Sequence, residues 1–138
     1  MLEQIKANAE LAVSQLSALK DGGFGYDEAS LKWLDGYIGR LSASGEFSEP
    51  EKRGKVVSVL GSYVGECIIK SFGGSWSQHD GHWCIAFDET NCAFPFAKVE
   101  KRILNGEEDS IASFYSTIPV IFGRAKIVAI RPWWKFWK

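Results

Sequence analysis

The sequence predicts an α+β domain: a long central helix packed by N-terminal helices and a small three-stranded antiparallel sheet, with two C-terminal helices. Three observations predict it. Within the segment 48–74, residues 56–72 are nearly continuous in apolar side chains, and the length of the segment suits a buried helix. The residues before them place apolar side chains at helical spacing, and those after them alternate around an Asp-Gly pair, which is typical of a β-hairpin.

Signals at both ends bound the central helix. Ser48 and Glu51 have the spacing of a capping box, in which each side chain accepts a hydrogen bond from a backbone N–H of the other residue. Pro50 is expected in the first turn, where its missing N–H has no cost. Gly73 is expected to end the helix, because glycine adopts the left-handed conformation without a steric penalty.

Two glycines, Gly61 and Gly65, lie four residues apart on one face of this predicted helix. Each is less favourable than alanine in a helix interior by about 1 kcal/mol. We therefore expect a close contact that offsets this cost, and we interpret the two positions as a groove that the backbone of another element approaches.

Two amphipathic helices are predicted before the central one. The first covers about residues 2–20, and the second begins after Asp27, a plausible N-cap. Because the connections are short, we expect the two helices to be neighbours in space. Their predicted buried residues are Ile5, Ala9, Ala12, Leu16 and Leu19 in the first and Leu31, Leu34, Ile38 and Leu41 in the second.

After the hairpin, residues 92–94 are predicted as a third short strand that Pro95 ends. A helix then runs to Asn105-Gly106, and the acidic residues 107–110 are predicted as the start of a last helix, because anions complement the positive end of a helix dipole. Pro119 is expected to end or bend it. The predicted inward residues are Phe96, Val99, Ile103, Leu104, Ile111, Phe114, Tyr115 and Ile118.

An ordered set of short segments resembles a bacterial family catalogued as domain of unknown function 3806. The segments are LGSYVGE at 60–66, GGSW at 73–76, PFAKV at 95–99, KR at 101–102 and NG at 105–106. The resemblance covers about residues 27–118, including Trp33-Leu34-Asp35, and leaves out the first helix and the residues after Phe122. It implies a small bacterial α+β domain, and it brings no assigned reaction, cofactor or catalytic residue.

Length and charge divide the chain in two. At 138 residues it fits one globular domain, residues 1–123, followed by a basic tail, residues 124–138. Five of the 16 basic residues and none of the 17 acidic ones lie in the tail, so residues 1–123 hold 11 basic against 17 acidic groups and should repel nucleic acid.

The N-terminal residues carry charges where a signal peptide is apolar, and we expect a cytoplasmic protein.

Glu66 is the main candidate for a functional side chain. A carboxylate within an apolar helix must be paired, hydrogen-bonded or neutral. The structural expectation is that it accepts hydrogen bonds from backbone N–H groups or pairs with Lys98, Lys101 or Arg102. The alternatives are a place in a binding pocket and a role as general acid or base.

The aromatic content suggests a second kind of site. Most of the aromatic side chains should be core, but those exposed on the hairpin would form a surface that docks a peptide or a ligand. With Glu66 and the neighbouring cations, the predicted binding residues are Glu66, Trp76, Trp83, Lys98 and Arg102.

His79 and His82 flank the tip of the hairpin and are weak candidates for a metal site, with Cys84 or Asp88 as a further ligand. A solvated turn is the preferred interpretation, because alternate strand residues point to opposite faces and hairpin tips are polar in any case. We therefore predict no metal and no cofactor.

Cys67, Cys84 and Cys92 lack the spacing of a zinc knuckle or a redox pair, and one would be left over in any pairing. We interpret all three as reduced, buried, small apolar residues.

The tail combines three tryptophans, a phenylalanine and three cations in its last eight residues. This mixture suits a motif that docks into a partner protein, a segment that packs on its own domain, or a peripheral contact with an anionic membrane. The residues predicted to mediate recruitment are Trp133, Trp134, Phe136 and Trp137.

The predicted function is that of a non-enzymatic cytoplasmic module that interacts with an unknown protein or binds a ligand. One alternative is a small metal-dependent or hydrolytic enzyme that uses Glu66 with His79 or His82. Another is an immunity-type protein that neutralises a toxin, for which a small acidic domain is a suitable format.

Overall fold

The computed structural model of the chain describes residues 1–123. Within them the fold is α+β, as predicted, with five α-helices and one antiparallel sheet of three strands. The helices are α1 (Leu2–Ser17), α2 (Glu28–Ala43), α3 (Pro50–Phe72), α4 (Pro95–Asn105) and α5 (Ile111–Ile121). The strands are β1 (Ser75–His79), β2 (His82–Ala86) and β3 (Cys92–Ala93), and a short 3-10 helix, Gly106–Asp109, precedes α5.

The central element is α3, as the sequence predicts. It packs against α1 along much of its length, and α4, α5 and β2 also contact it. Its first turns are largely exposed, but residues 60–65 are all buried, and Tyr63, Val64, Cys67 and Ile68 have no exposed surface. A helix covered on several sides has little room for polar side chains, which explains its apolar composition.

The capping box predicted at the start of α3 is wrong. Ser48 lies one residue too early: its hydroxyl donates to the Gly45 carbonyl at 2.8 Å in the turn after α2. The N-cap is Glu49, whose side chain makes no capping bond, and Pro50 occupies the first helical position as predicted. Gly73 ends the helix with φ +83°, also as predicted.

The first helix is shorter than predicted, because it ends at Ser17 and Leu19 is left 57% exposed. The rest of its apolar stripe is buried against α3, where the small side chains of Ala9 and Ala12 allow a close approach. The prediction that α1 and α2 lie side by side is wrong. The backbone of α2 approaches α5 and α4 most closely, and the ten-residue connection between Ser17 and Glu28 separates it from α1.

Asp27 is the N-cap of α2, as predicted, and its carboxylate accepts a hydrogen bond from the Ser30 backbone N–H at 2.7 Å. The hairpin prediction is also confirmed. Asp80 and Gly81 both have positive φ, +51° and +80°, which is the conformation of a two-residue hairpin turn. Strand β2 is central in the sheet, between β1 and β3.

The end of α4 differs from the prediction at one position. Leu104 was expected to face inward, but it is 57% exposed. Residues Val99 and Ile103 are four apart and share the buried face of α4, and one further residue turns the side chain about 100° away from that face. Gly106 ends the helix with φ +82°, as expected from the Asn-Gly pair.

The acidic run does not begin the last helix. It forms the 3-10 turn, and α5 starts at Ile111 with Ser110 as its N-cap and continues through Pro119 to Ile121. The anion at its N-terminus is Asp35 of α2, whose carboxylate accepts hydrogen bonds from the backbone N–H groups of Ile111 and Ala112, both at 2.9 Å. A carboxylate from another helix therefore complements the dipole of α5.

Asp35 also receives a buried cation. Arg102 of α4 is only 3% exposed, and its Nε donates to the Asp35 carboxylate at 3.1 Å while its Nη2 donates to the Asp35 carbonyl at 2.6 Å. The Ser110 hydroxyl donates to the second carboxylate oxygen at 2.7 Å. These contacts join α2, α4 and the start of α5 at one point, which we call the Asp35 junction.

Gly61 and Gly65 of α3 accept aromatic rings rather than the backbone of another element, which corrects the predicted groove. A Cβ at Gly61 would lie 2.3 Å from the Phe96 ring, and a Cβ at Gly65 would lie 2.1 Å from the Trp76 ring. The two rings are themselves in contact, with centroids 5.6 Å apart. The missing side chains thus allow a pair of large rings to lie directly on the helix backbone, and this contact offsets the low helix propensity of glycine.

We expect Gly65→Ala to lower the free energy of unfolding by about 1–3 kcal/mol, because the new methyl group overlaps the Trp76 ring. The matched control is Gly54→Ala in the same helix, where a Cβ meets no atom within 4 Å. That substitution should raise the stability by about 0.5–1 kcal/mol. Urea unfolding followed by circular dichroism measures both, and equal effects of the two substitutions would contradict the packing described here.

We expect Asp35→Ala to lower the free energy of unfolding by roughly 3–5 kcal/mol, because the buried Arg102 guanidinium loses its partner. Thermal and urea unfolding of the full chain measure the change. In the control Lys52→Met, which removes the exposed ion pair of Lys52 with Glu46, stability should stay unchanged. An Asp35→Ala variant as stable as the wild type would show that the junction does not hold the three helices together.

Candidate functional site

An open groove of about 720 Å³ lies on the surface of residues 1–123. Four segments form it: the first turns of α1, the middle of α3, the tip of the hairpin and the start of α4. We call it the apolar groove. Its lining residues are Met1, Gln4, Ile5, Asn8, Val57, Ser58, Ser62, Gly81, His82, Trp83, Phe94, Phe96 and Ala97.

Three aromatic residues, Trp83, Phe94 and Phe96, form one wall of the groove, and local structure explains their positions. The tight turn at Asp80-Gly81 brings Trp83 to the start of β2, next to the tip. Pro95 begins α4, so that Phe94 and Phe96 lie on either side of the first helical residue. The Phe96 ring rests on Gly61 of α3, and Phe94 stays 37% exposed at the edge of the groove.

Among residues 1–123, no Asp, Glu, Lys or Arg side chain lines the groove. Its polar side chains are neutral amides, hydroxyls and His82. The Gln4 amide N–H donates to the Asn8 amide oxygen at 3.0 Å, and the Ser62 hydroxyl donates to the Ser58 carbonyl at 2.7 Å. The surface is therefore suited to apolar groups and to neutral hydrogen-bonding groups.

Glu66 lies outside this lining, on the neighbouring turn of α3. Its carboxylate accepts a hydrogen bond from the Trp76 indole N–H at 2.7 Å and is half-buried. The expected pairing with Lys98, Lys101 or Arg102 is wrong, because the indole N–H satisfies the carboxylate instead. Glu66 therefore orients the Trp76 ring, which contacts Phe96 in the wall of the groove.

Lys98 and Arg102, the two cations predicted to take part in the binding site, make contacts elsewhere. The Lys98 ammonium lies 3.1 Å from the Asp109 carboxylate and 5.8 Å from the centroid of the Phe114 ring. Hydrogen bonds from Asn105 and Lys98 lower the pKa of Asp109. Arg102 is buried at the Asp35 junction.

Of the five predicted binding residues, only Trp83 lines the groove, and Trp76 supports its wall from behind. The contribution of α1 to the groove could not be predicted, because the groove forms between segments that are distant in the sequence and no single segment has a pattern that indicates it. The available signal was the pair of glycines in α3, which marked where the rings of Trp76 and Phe96 would pack.

The two histidines face each other across the hairpin as the last pair of β1 and β2, and both are exposed. Among residues 1–123, no group of three or more His, Cys, Asp or Glu side chains is close enough to hold a metal ion. His82 also lines the groove, whereas His79 does not.

The expectation that all three cysteines are buried holds for Cys67 and Cys84. Burial raises the pKa of the Cys67 thiol to about 12 and that of Cys84 to about 11, so neither is a thiolate near neutral pH. Cys92 was expected to be buried, but it is only half-buried, because it lies in the short edge strand β3.

The predicted recruitment residues of the tail lie outside the described residues: Trp133, Trp134, Phe136 and Trp137. The three roles suggested for the tail therefore stay predictions. In the part of the chain that the structure describes, none of the helices combines the length and the apolar character needed to cross a bilayer.

Comparison with known proteins gives no relative from which a role could be transferred. No protein-family model matches the chain, and neither a curated protein nor a solved structure matches it.

Proposed function

We propose that this chain is a non-enzymatic binding module, and that the apolar groove takes up an uncharged, apolar peptide segment of a partner protein. The observation that carries the proposal is the lining that residues 1–123 give the groove, which consists of aromatic and aliphatic side chains with no Asp, Glu, Lys or Arg. Removal of apolar area from water favours binding to such a surface, and within the described part of the chain it offers an ionic ligand no carboxylate, lysine or arginine as a partner.

The size of the groove supports this proposal. Pockets that bind ligands commonly have volumes of about 300–1,000 Å³, and the value of about 720 Å³ falls within this range. The space is open along one side and bounded by four segments, which suits several side chains of a peptide.

The polar groups at the edge favour a peptide over a hydrocarbon. Because Gln4 donates to Asn8, the oxygen of Gln4 and the NH₂ group of Asn8 have no partner among residues 1–123. Side-chain amides of this kind pair well with the backbone N–H and C=O groups of an extended segment. Apolar side chains would fill the groove while these amides hold the backbone.

The same lining favours binding over catalysis. Within residues 1–123, His82 is its single Asp, Glu, His, Cys, Lys or Tyr side chain, and the Ser62 hydroxyl is bonded to the backbone of its own helix. General acid–base catalysis needs positioned titratable groups, usually with a partner that orients them. Glu66 would not serve, since its carboxylate is bonded to Trp76 behind the wall.

The test is a selection of peptides from a random phage-displayed library on the full chain, followed by binding measurements on synthetic peptides. We expect uncharged sequences with two or more large apolar residues to be enriched. Phe94→Ser should weaken their binding by about tenfold or more, because it removes a large apolar side chain from the edge of the groove.

The matched control is Leu104→Ser. Leu104 is an exposed apolar residue at the opposite end of α4 and does not line the groove, so binding should be unchanged. Circular dichroism confirms that both variants are folded. The proposal fails if no peptide is enriched, if the enriched peptides are charged, or if both variants bind equally well.

A further inference from the structure

Two of the three cysteines lie next to each other on the sheet. Cys92 of β3 pairs with Ala86 of β2, and Cys84 is two residues before Ala86 on the same strand. Because side chains alternate along a strand, Cys84 and Cys92 project from the same face as diagonal neighbours. The neighbouring Cys92 thiol adds to burial in raising the pKa of Cys84, whereas Cys67 lies in the helix α3.

The turn before β3 holds Cys92 in this position. The Asp88 carboxylate accepts hydrogen bonds from the backbone N–H groups of Thr90 and Asn91, both at 2.9 Å, and Phe87 donates to the Asn91 carbonyl at 2.9 Å. The hydrogen bonds from Asn91 and Thr90 lower the pKa of Asp88 to about 2, so the turn keeps its ionised acceptor over the whole physiological range of pH.

The two thiols differ in access to solvent. Cys92 is half-buried, while Cys84 is fully buried. An oxidant in solution therefore reaches Cys92 first, and Cys84 is the thiol beside it on the sheet. This is the arrangement of a reactive cysteine with a resolving cysteine beside it.

We propose that Cys84 and Cys92 are a modification site at which hydrogen peroxide forms an intramolecular disulfide. In the first step the sulfur of Cys92 attacks one peroxide oxygen, the O–O bond breaks, and Cys92 becomes a sulfenic acid with release of water. In the second step the sulfur of Cys84 attacks the sulfenic sulfur, an S–S bond forms, and the hydroxyl group leaves as water with the Cys84 proton. Two thiols and one peroxide thus give one disulfide and two waters.

The site is independent of the proposed binding function, but it lies close to the groove in the chain. Cys92 and Ala93 lead directly through Phe94 to Pro95 at the start of α4. A disulfide would therefore attach the start of α4 to the central strand of the sheet covalently, in addition to the β2–β3 ladder.

Mass spectrometry of the oxidised full chain tests this proposal. Trypsin leaves both cysteines in one peptide, residues 71–98, and Cys67 in another, residues 56–70. After treatment with peroxide and alkylation, we expect peptide 71–98 to be two hydrogens lighter and unalkylated, and Cys67 to be alkylated once the chain is denatured. A second protease that cuts after Phe87 should leave the two halves joined until a reductant separates them.

Cysteine variants test the order of the two steps. Cys67→Ser should form the disulfide as the wild type does, and Cys84→Ser should accumulate a sulfenic acid at Cys92 that dimedone traps. Cys92→Ser should react much more slowly and form no intramolecular disulfide. The proposal is overturned if wild-type Cys84 and Cys92 stay alkylatable, if Cys67 or a second chain supplies the partner, or if a stable sulfenic acid persists in the wild type. If a variant misfolds, the alkylation of Cys84 and Cys92 in the oxidised wild-type chain still tests the proposal.

Discussion

The fold depends on one half-buried carboxylate. Asp35 accepts the first two free N–H groups of α5 and a hydroxyl from Ser110, and it neutralises the buried guanidinium of Arg102. Each of these groups would be costly to bury alone, and together they satisfy one another. Because the carboxylate belongs to α2, the cation to α4 and the N–H groups to α5, the junction sets how these helices are placed around α3.

A second constraint acts on the other side of α3. Gly61 and Gly65 leave space for the rings of Phe96 and Trp76, so the start of α4 and the first strand come close to the helix backbone. Glu66 then fixes the indole by a hydrogen bond. The apolar groove lies beside this contact, and its wall is consequently built on packed rings that have little freedom to move.

Much of the fold could be predicted because its signals are local. The hairpin follows from Asp80-Gly81, the end of α3 from Gly73 and the start of α2 from Asp27, each of which acts through its own backbone. The site could not be predicted, because it depends on which distant residues meet. Arg102 and Lys98 were expected near Glu66, and no pattern in the sequence reveals that carboxylates from α2 and the 3-10 turn pair with them instead.

The way α1 is attached has a consequence for dynamics. Its backbone packs chiefly on α3, whereas the connection after it is held separately by the buried Phe24 ring and by the Tyr63 hydroxyl, which donates to the Gly25 carbonyl. The helix α1 can therefore open as a unit while this connection and the remaining helices stay assembled. Its first turns also supply one side of the groove. Occupancy of the groove and docking of α1 are therefore thermodynamically linked: a ligand that touches both α1 and α4 protects the amides of α1 from hydrogen exchange, and a well-docked α1 strengthens binding by the same free energy.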